Sequence, residues 1–229
     1  MLPILAVLCA SLALSGCKSD TAGPAETSQN TQQPVPQRPV AAAPVSDRPV
    51  IVCFGDSLTA GYGTDPGQSY PDYLQQRLDD AGFHYHVVNA GVSGNTTKDG
   101  LNRIARVIAQ HPELVVVEFG GNDGLRGLQL EQTQQSLASI VEQLQASGTK
   151  VVLAGITLPP DYGPDYIAKF NAMYPALAKK YHVPLLPFLL QGVYGVPGDM
   201  QDDSTHATAK GNQQVAVNVQ RLIEPLLKR

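Results

Sequence analysis

The chain has 229 residues, enough for one domain of ordinary size and a tail, and its 43% hydrophobic content is compatible with a well-buried core. A formal charge of -4, with no basic patch and no basic run interleaved with aromatics, argues against nucleic acid and other polyanionic partners. Trp is absent, so aromatic recognition falls to Tyr and Phe.

The first stretch, MLPILAVLCASLALSGC, is an apolar run closed by small residues, the shape of a secretory signal and not of a spanning helix. Leu14-Ser15-Gly16-Cys17 resembles the bacterial lipobox. That resemblance implies a signal peptide over residues 1–16, a lipid anchor on Cys17, and a place on the periplasmic side of a bacterial cell envelope. The run departs from the usual pattern in having no Lys or Arg before Cys17, which a start codon assigned too late would explain. With Cys9 removed and Cys17 acylated, Cys53 is left alone, so no disulfide framework is expected. Residues 17–48 are rich in Pro, Ala, Gln, Ser and Thr with no apolar period, and read as a disordered tether.

From residue 49 onward short apolar runs alternate with longer amphipathic ones. This is the signature of a mostly parallel sheet covered by helices on both faces, a three-layer α/β/α sandwich. Ile51 to Phe54 reads as a buried strand broken by Gly55-Asp56-Ser57. Ser69 caps a helix with Tyr70, Tyr73, Leu74 and Leu78 on one face, ending at Gly82. A strand over His84 to Asn89 stops at Ala90-Gly91-Val92-Ser93-Gly94. Thr96 or Thr97 then caps a helix carrying Leu101, Ile104, Ala105 and Ile108, which His111-Pro112 ends. Leu114 to Phe119 reads as a strand buried on both faces, followed by the loop Gly120 to Gly124. A long helix from about Glu131 to Ala146 closes at Gly148. Beyond it come a strand over Lys150 to Ile156, a proline-rich turn from Thr157 to Pro164, and a helix from Asp165 to Tyr181. A short strand from Val183 to Phe188, an irregular segment over 189–207 and a terminal helix over 208–227 complete the chain.

Three strands therefore end in small-residue loops on one edge of the sheet, carrying Ser57, Gly94 and Asn122. In an open parallel sheet those loops converge on a crevice where the strand order reverses. A serine hydroxyl is a weak nucleophile unless a base takes its proton and a third group holds that base's tautomer. Of the five histidines, His84, His86, His111 and His182 sit at strand or helix ends and read as surface residues. His206 differs, because Asp203 lies three residues before it, close enough for one loop to supply base and orienter. Gly94 can present its backbone N–H, Asn122 a side-chain N–H, and Ser57 its own N–H to a developing oxyanion. No His/Cys/carboxylate cluster has metal-ligand spacing, Gly61-Tyr62-Gly63 lacks a nucleotide-loop context, and no cofactor is expected.

The four blocks GDSL at Gly55 to Leu58, SGNTT around Gly94, GGND around Asn122, and Asp203-x-x-His206 resemble, in order and spacing, the signature of the SGNH (GDSL) hydrolase family. EFGGNDGLRG, YPALAKKYHVPLLPF and MQDDSTH resemble its bacterial thioesterase, lysophospholipase and arylesterase branch. The resemblance implies a flavodoxin-like five-stranded sheet, Ser57 as nucleophile, Asp203 and His206 completing a triad, and Ser57, Gly94 and Asn122 as oxyanion donors. It also implies a small acyl-ester substrate lying among loops at the strand ends, where Leu125, Leu158 and Tyr162 are candidate apolar contacts. Short to medium acyl chains and a monomeric protein are expected. The chain departs from the family in having Ala207 where proline usually follows the histidine, and loop rigidity is expected to be lower for it. The alternative is a non-catalytic envelope lipoprotein that binds acyl chains or glycans.

Overall fold

The computed structural model describes residues 47–229; the signal, Cys17 and all but the last two residues of the tether lie outside the described residues. Five strands form one sheet: β1 (Val50–Gly55), β2 (His86–Gly91), β3 (Leu114–Glu118), β4 (Lys150–Ala154) and β5 (Leu185–Leu186). Their order is β2-β1-β3-β4-β5 and every pair is parallel, so the connection after β2 crosses over β1 to reach β3. The reversal between β1 and β3 opens a crevice at the carboxyl ends of those strands.

Among the described residues seven α-helices connect and cover the strands: α1 (Ser57–Ala60), α2 (Tyr70–Asp80), α3 (Thr97–Ile108), α4 (Gly121–Leu125), α5 (Leu130–Ala146), α6 (Pro164–Tyr181) and α7 (Ala209–Ile223). Helices α2 and α7 pack together as one layer, and α3, α5 and α6 as the other. Neighbouring residues of β1 face opposite layers, as the period of a strand requires. Cys53 meets Tyr70 of α2, whereas the Phe54 ring lies under the Arg103 guanidinium of α3 at 4.4 Å. With both faces covered, Ile51, Val52, Cys53 and Phe54 are all fully buried, which is why the strand is a continuous apolar run. Burial pushes the Cys53 thiol up to about 12, leaving it a small hydrophobe and no nucleophile.

Helix starts follow local hydrogen bonding. Thr96 and Asp99 form a reciprocal capping box ahead of α3, with Thr96 N–H donating to Asp99 at 2.9 Å and Asp99 N–H to Thr96 at 3.3 Å. The sequence reading departs from the structure where elements are short or prolines intervene. The expected strand from Val183 to Phe188 shrinks to Leu185–Leu186, because Pro184 and Pro187 on either side offer no N–H to the ladder. The terminal helix stops at Ile223, since Pro225 sits in a 3-10 turn over Glu224–Leu226. Helices α1 and α4 occupy stretches expected to be turn and loop.

Candidate active site

Strand β1 delivers the chain to Asp56, a residue 2% exposed that caps α1 by accepting from the Leu58 N–H at 3.1 Å. Ser57 is thereby the first residue of a single helical turn, which the left-handed Gly61 closes at φ 78° with its N–H returned to the Ser57 carbonyl. The first N–H groups of a helix have no partner within it. That of Ser57 has no acceptor among the described residues, so it stays available at the crevice.

The loop ahead of α7 reaches the same point. His206 Nε2 lies 2.8 Å from Ser57 Oγ, and His206 Nδ1 lies 2.6 Å from Asp203 Oδ2. The second Asp203 oxygen accepts from the backbone N–H groups of Thr205 at 2.9 Å and His206 at 3.0 Å, folding the loop into one tight turn with Ser204 at φ 54°. Partial burial pushes the Asp203 carboxyl up, but the hydrogen bonds from the His206 ring and from those two N–H groups outweigh it and hold Asp203 below its usual range. With Asp203 accepting from Nδ1–H, Nε2 carries the lone pair that accepts from the serine hydroxyl.

No proline follows His206, yet the loop is pinned on both sides. Ala207 is 5% exposed and bridges Met200, Gln201 N–H donates to the His206 carbonyl at 2.8 Å, and Thr208 N–H donates to the Asp199 carbonyl at 2.9 Å. Gln201 Nε2 also donates to the carbonyls of Ala207 and Tyr62, and so ties the histidine loop to the segment after α1. The Tyr62 ring lies against the imidazole with centroids 4.7 Å apart. The other four histidines are all exposed and remote from this cluster.

Gly94 and Asn122 border the same crevice as Ser57. The Gly94 N–H has no acceptor among the described residues, while the Gly94 carbonyl accepts from Arg126 at 2.9 Å. Asn122 Nδ2 donates both of its hydrogens within the protein, to Asp56 Oδ2 at 3.0 Å and to the Asn95 carbonyl at 3.0 Å. The bond to buried Asp56 fixes the plane of the amide. The bond to Asn95, on a surface loop, is the one that can be shared with an incoming oxygen. Arg103, unremarked in the sequence, braces these loops by donating to the Gly55 and Ala90 carbonyls and to Asn95 Oδ1, each at 2.8 Å.

A cavity of about 440 Å³ opens from Ser57 and His206, a size suited to small ligands. Leu125 and Leu158 line it, although Leu158 also packs beneath Gly124. Tyr162 does not line it: its hydroxyl turns away to donate to the Leu125 carbonyl at 2.8 Å, so this residue braces the wall from behind. Tyr62, Phe188 and Tyr194 supply aromatic wall that the sequence left unassigned. Tyr194 comes from the irregular segment, where no period marks which side chains point inward, and Phe188 from the end of the expected strand just before it. Among the described residues no group of three His, Cys, Asp or Glu could hold a metal ion.

The profile of the GDSL-like Lipase/Acylhydrolase family matches residues 53–214, the span from β1 into α7 that contains every part of this site. The chain belongs to that family. It is 46% identical over 178 residues to the Esterase TesA of Pseudomonas aeruginosa, covering 77% of this chain and 89% of that relative. The Thioesterase 1/protease 1/lysophospholipase L1 of Escherichia coli is 40% identical, covering 77% of this chain and 84% of that one. Among solved structures, the psychrotrophic esterase EstA from Pseudoalteromonas sp., inhibited by monoethylphosphonate, superposes with a TM-score of 0.74 at 29% identity, covering 77% of this chain and 97% of that one. The GDSL-like chain thus has the five-stranded parallel sheet flanked by helices that its sequence pattern implied.

Proposed function

We propose that Ser57, His206 and Asp203 act as nucleophile, base and orienter in a carboxylic ester hydrolase that works through an acyl-enzyme. The chain is a carboxylic ester hydrolase of the esterase and arylesterase type. The observation that supports the assignment of roles is the unbroken series Asp203 Oδ2, His206 Nδ1, His206 Nε2, Ser57 Oγ, with spacings of 2.6 and 2.8 Å at its two hydrogen bonds. Ser57 Oγ attacks the ester carbonyl as its proton passes to His206 Nε2. The negative charge that develops on the carbonyl oxygen meets the N–H groups of Ser57 and Gly94, and the Asn122 N–H released from Asn95. Collapse breaks the bond to the leaving group, which takes the proton from Nε2. Water then attacks the acyl-serine, giving its proton to Nε2, and the acid departs as Ser57 regains the hydrogen. Asp203 keeps the ring in the tautomer both half-reactions need.

The mainly apolar cavity supports short to medium acyl chains, and the relatives' names extend the candidate substrates to thioesters and lysophospholipids. The LSGC block supports a lipid anchor at Cys17 and an envelope location, and a monomer is the simplest assembly for a site built within one chain. Ser57→Ala is expected to lower turnover of p-nitrophenyl acyl esters by about 10⁴-fold or more and to abolish labelling by a fluorophosphonate. Retained turnover in that variant would overturn the nucleophile assignment, and a rate independent of acyl length would overturn the defined groove.

A further inference from the structure

Glu118 ends β3, fully buried, and has no part in the steps above. Sheet register sets it beside Gly55. A β-carbon on Gly55 would run into Thr59 Oγ1 and come within 2.5 Å of Glu118 Oε2, so the glycine that precedes Asp56 leaves the room this carboxyl fills. The two carboxyl oxygens differ in their surroundings. Oε2 accepts from Thr59 Oγ1 at 2.9 Å and from the Asp56 N–H at 3.3 Å. Oε1 is buried and receives no donor.

The bond from the Asp56 N–H to Oε2 nonetheless sets the Glu118 carboxyl beside the Asp56 side chain, which is itself buried, so that each carboxyl acts on the other's protonation. Two neighbouring carboxylates shut away from water do not both ionise, and a buried anionic oxygen without a donor is costly. A single proton on Oε1 removes both difficulties, because it turns an orphan acceptor into a donor. The surroundings supply no charge that would do so instead. Neither carboxyl forms an ion pair among the described residues. The Tyr70 and Tyr174 hydroxyls nearby are held neutral by burial, and the Arg103 guanidinium is spent on carbonyls and Asn95. Asp56 also feels the charge of His206.

We propose that Glu118 is a positioning residue for ester hydrolysis: it is a neutral carboxylic acid whose Oε1–H donates to the Asp56 carboxylate, keeping Asp56 an anionic acceptor. Asp56 then holds the Leu58 N–H at the head of the helix that carries Ser57, and one Asn122 N–H beside the oxyanion position. One buried proton thus sets the geometry of nucleophile and donor together. This rests on the roles given above to Ser57 and Asn122.

The test compares Glu118→Gln, which puts an amide N–H where the acid O–H stood, with Glu118→Ala, which leaves Asp56 without it. Glu118→Gln should keep kcat within a few-fold of the wild type. Glu118→Ala should lower kcat by about tenfold to a hundredfold with KM little changed, the signature of a misplaced transition-state donor. Infrared spectra of the wild type near neutral pH should show a protonated carboxyl band that shifts on isotope labelling of glutamate and is missing from Glu118→Gln. A Glu118→Gln enzyme as slow as Glu118→Ala, or a spectrum with no such band, would overturn the proposal. Fluorophosphonate labelling of the wild type but not of Ser57→Ala keeps the site reading intact in either event, so the two failures are told apart.

Discussion

A carboxylic acid that stays protonated in the fold must leave a mark on stability. Burial first, and then the neighbouring Asp56 charge, raise Glu118 well above its ordinary value of 4.5, while burial pushes Asp56 up to about 6. The unfolded chain releases the Glu118 proton near its ordinary range, whereas the folded chain keeps it. The folded state therefore binds more protons, and the stability this group contributes is present in acid and lost as pH rises. One retained proton corresponds to a fall of about 1.4 kcal/mol per pH unit through neutrality, until folded Glu118 itself ionises. Glu118→Gln removes that titration. Urea unfolding of wild type and variant at several pH values should show the variant gaining on the wild type by about that slope, and a gap independent of pH would mean that Glu118 is already ionised. Sequence could single out Ser57, Asp203 and His206 because each needs a partner of fixed chemical type at a workable spacing. Glu118 gave no such signal, since one carboxyl in the run Leu114 to Phe119 reads as a blemish in an apolar strand. Only register, which brings it beside Gly55, exposes its function.

The element that most depends on its neighbours is α1, a four-residue helix too short to hold itself together. It is seated on β2: a β-carbon at Gly91 would meet the α1 backbone, with Ala60 Cα at 2.7 Å. A side-chain neighbour could rotate aside, but backbone cannot. Gly91→Ala must therefore shift α1 and the Ser57 it carries, or strain β2. Overpacking of this kind costs about 1 to 3 kcal/mol, and no helix-propensity gain offsets it in a strand. The expected outcome is a lower urea midpoint together with a kcat loss larger than the change in KM. Unchanged kcat in a folded variant would show that α1 tolerates displacement. The same shortness explains why α1 and α4 escaped the sequence reading. Gly-Asp-Ser and Gly-Gly-Asn-Asp are turn formers by local hydrogen bonding, and a helix of one turn has no period to read. The long helices and the buried strands were legible because burial writes a repeat into them, and β5 was overdrawn because apolar residues between prolines mimic a strand that has no donors to offer.

At the scale of the whole chain, the site joins residues 149 positions apart, since Ser57 follows the first strand and His206 precedes the last helix. Helix α7 packs on α2, so the ends of the domain close on each other across one face of the sheet. Activity and global structure should accordingly disappear together: hydrolysis of a soluble short-chain ester and far-UV circular dichroism are expected to share one urea midpoint, as two-state unfolding requires. The described core and every residue of the proposed site lie within residues 47–229, where no helix is long and apolar enough to cross a membrane. A chain starting at Asp47 should then keep the midpoint and the kcat/KM of the full chain on a soluble ester, because every core and site residue described above lies within it. The envelope reading makes the opposite demand on the N-terminal stretch. Expressed in a bacterium with its own N-terminus, the full chain should sediment with membranes, and Cys17→Ser should release it while leaving kcat/KM unchanged. Membrane recovery that survives Cys17→Ser would sink the lipid anchor and leave the hydrolase reading untouched, whereas a truncated chain with a lowered midpoint would show that the first 46 residues belong to the fold.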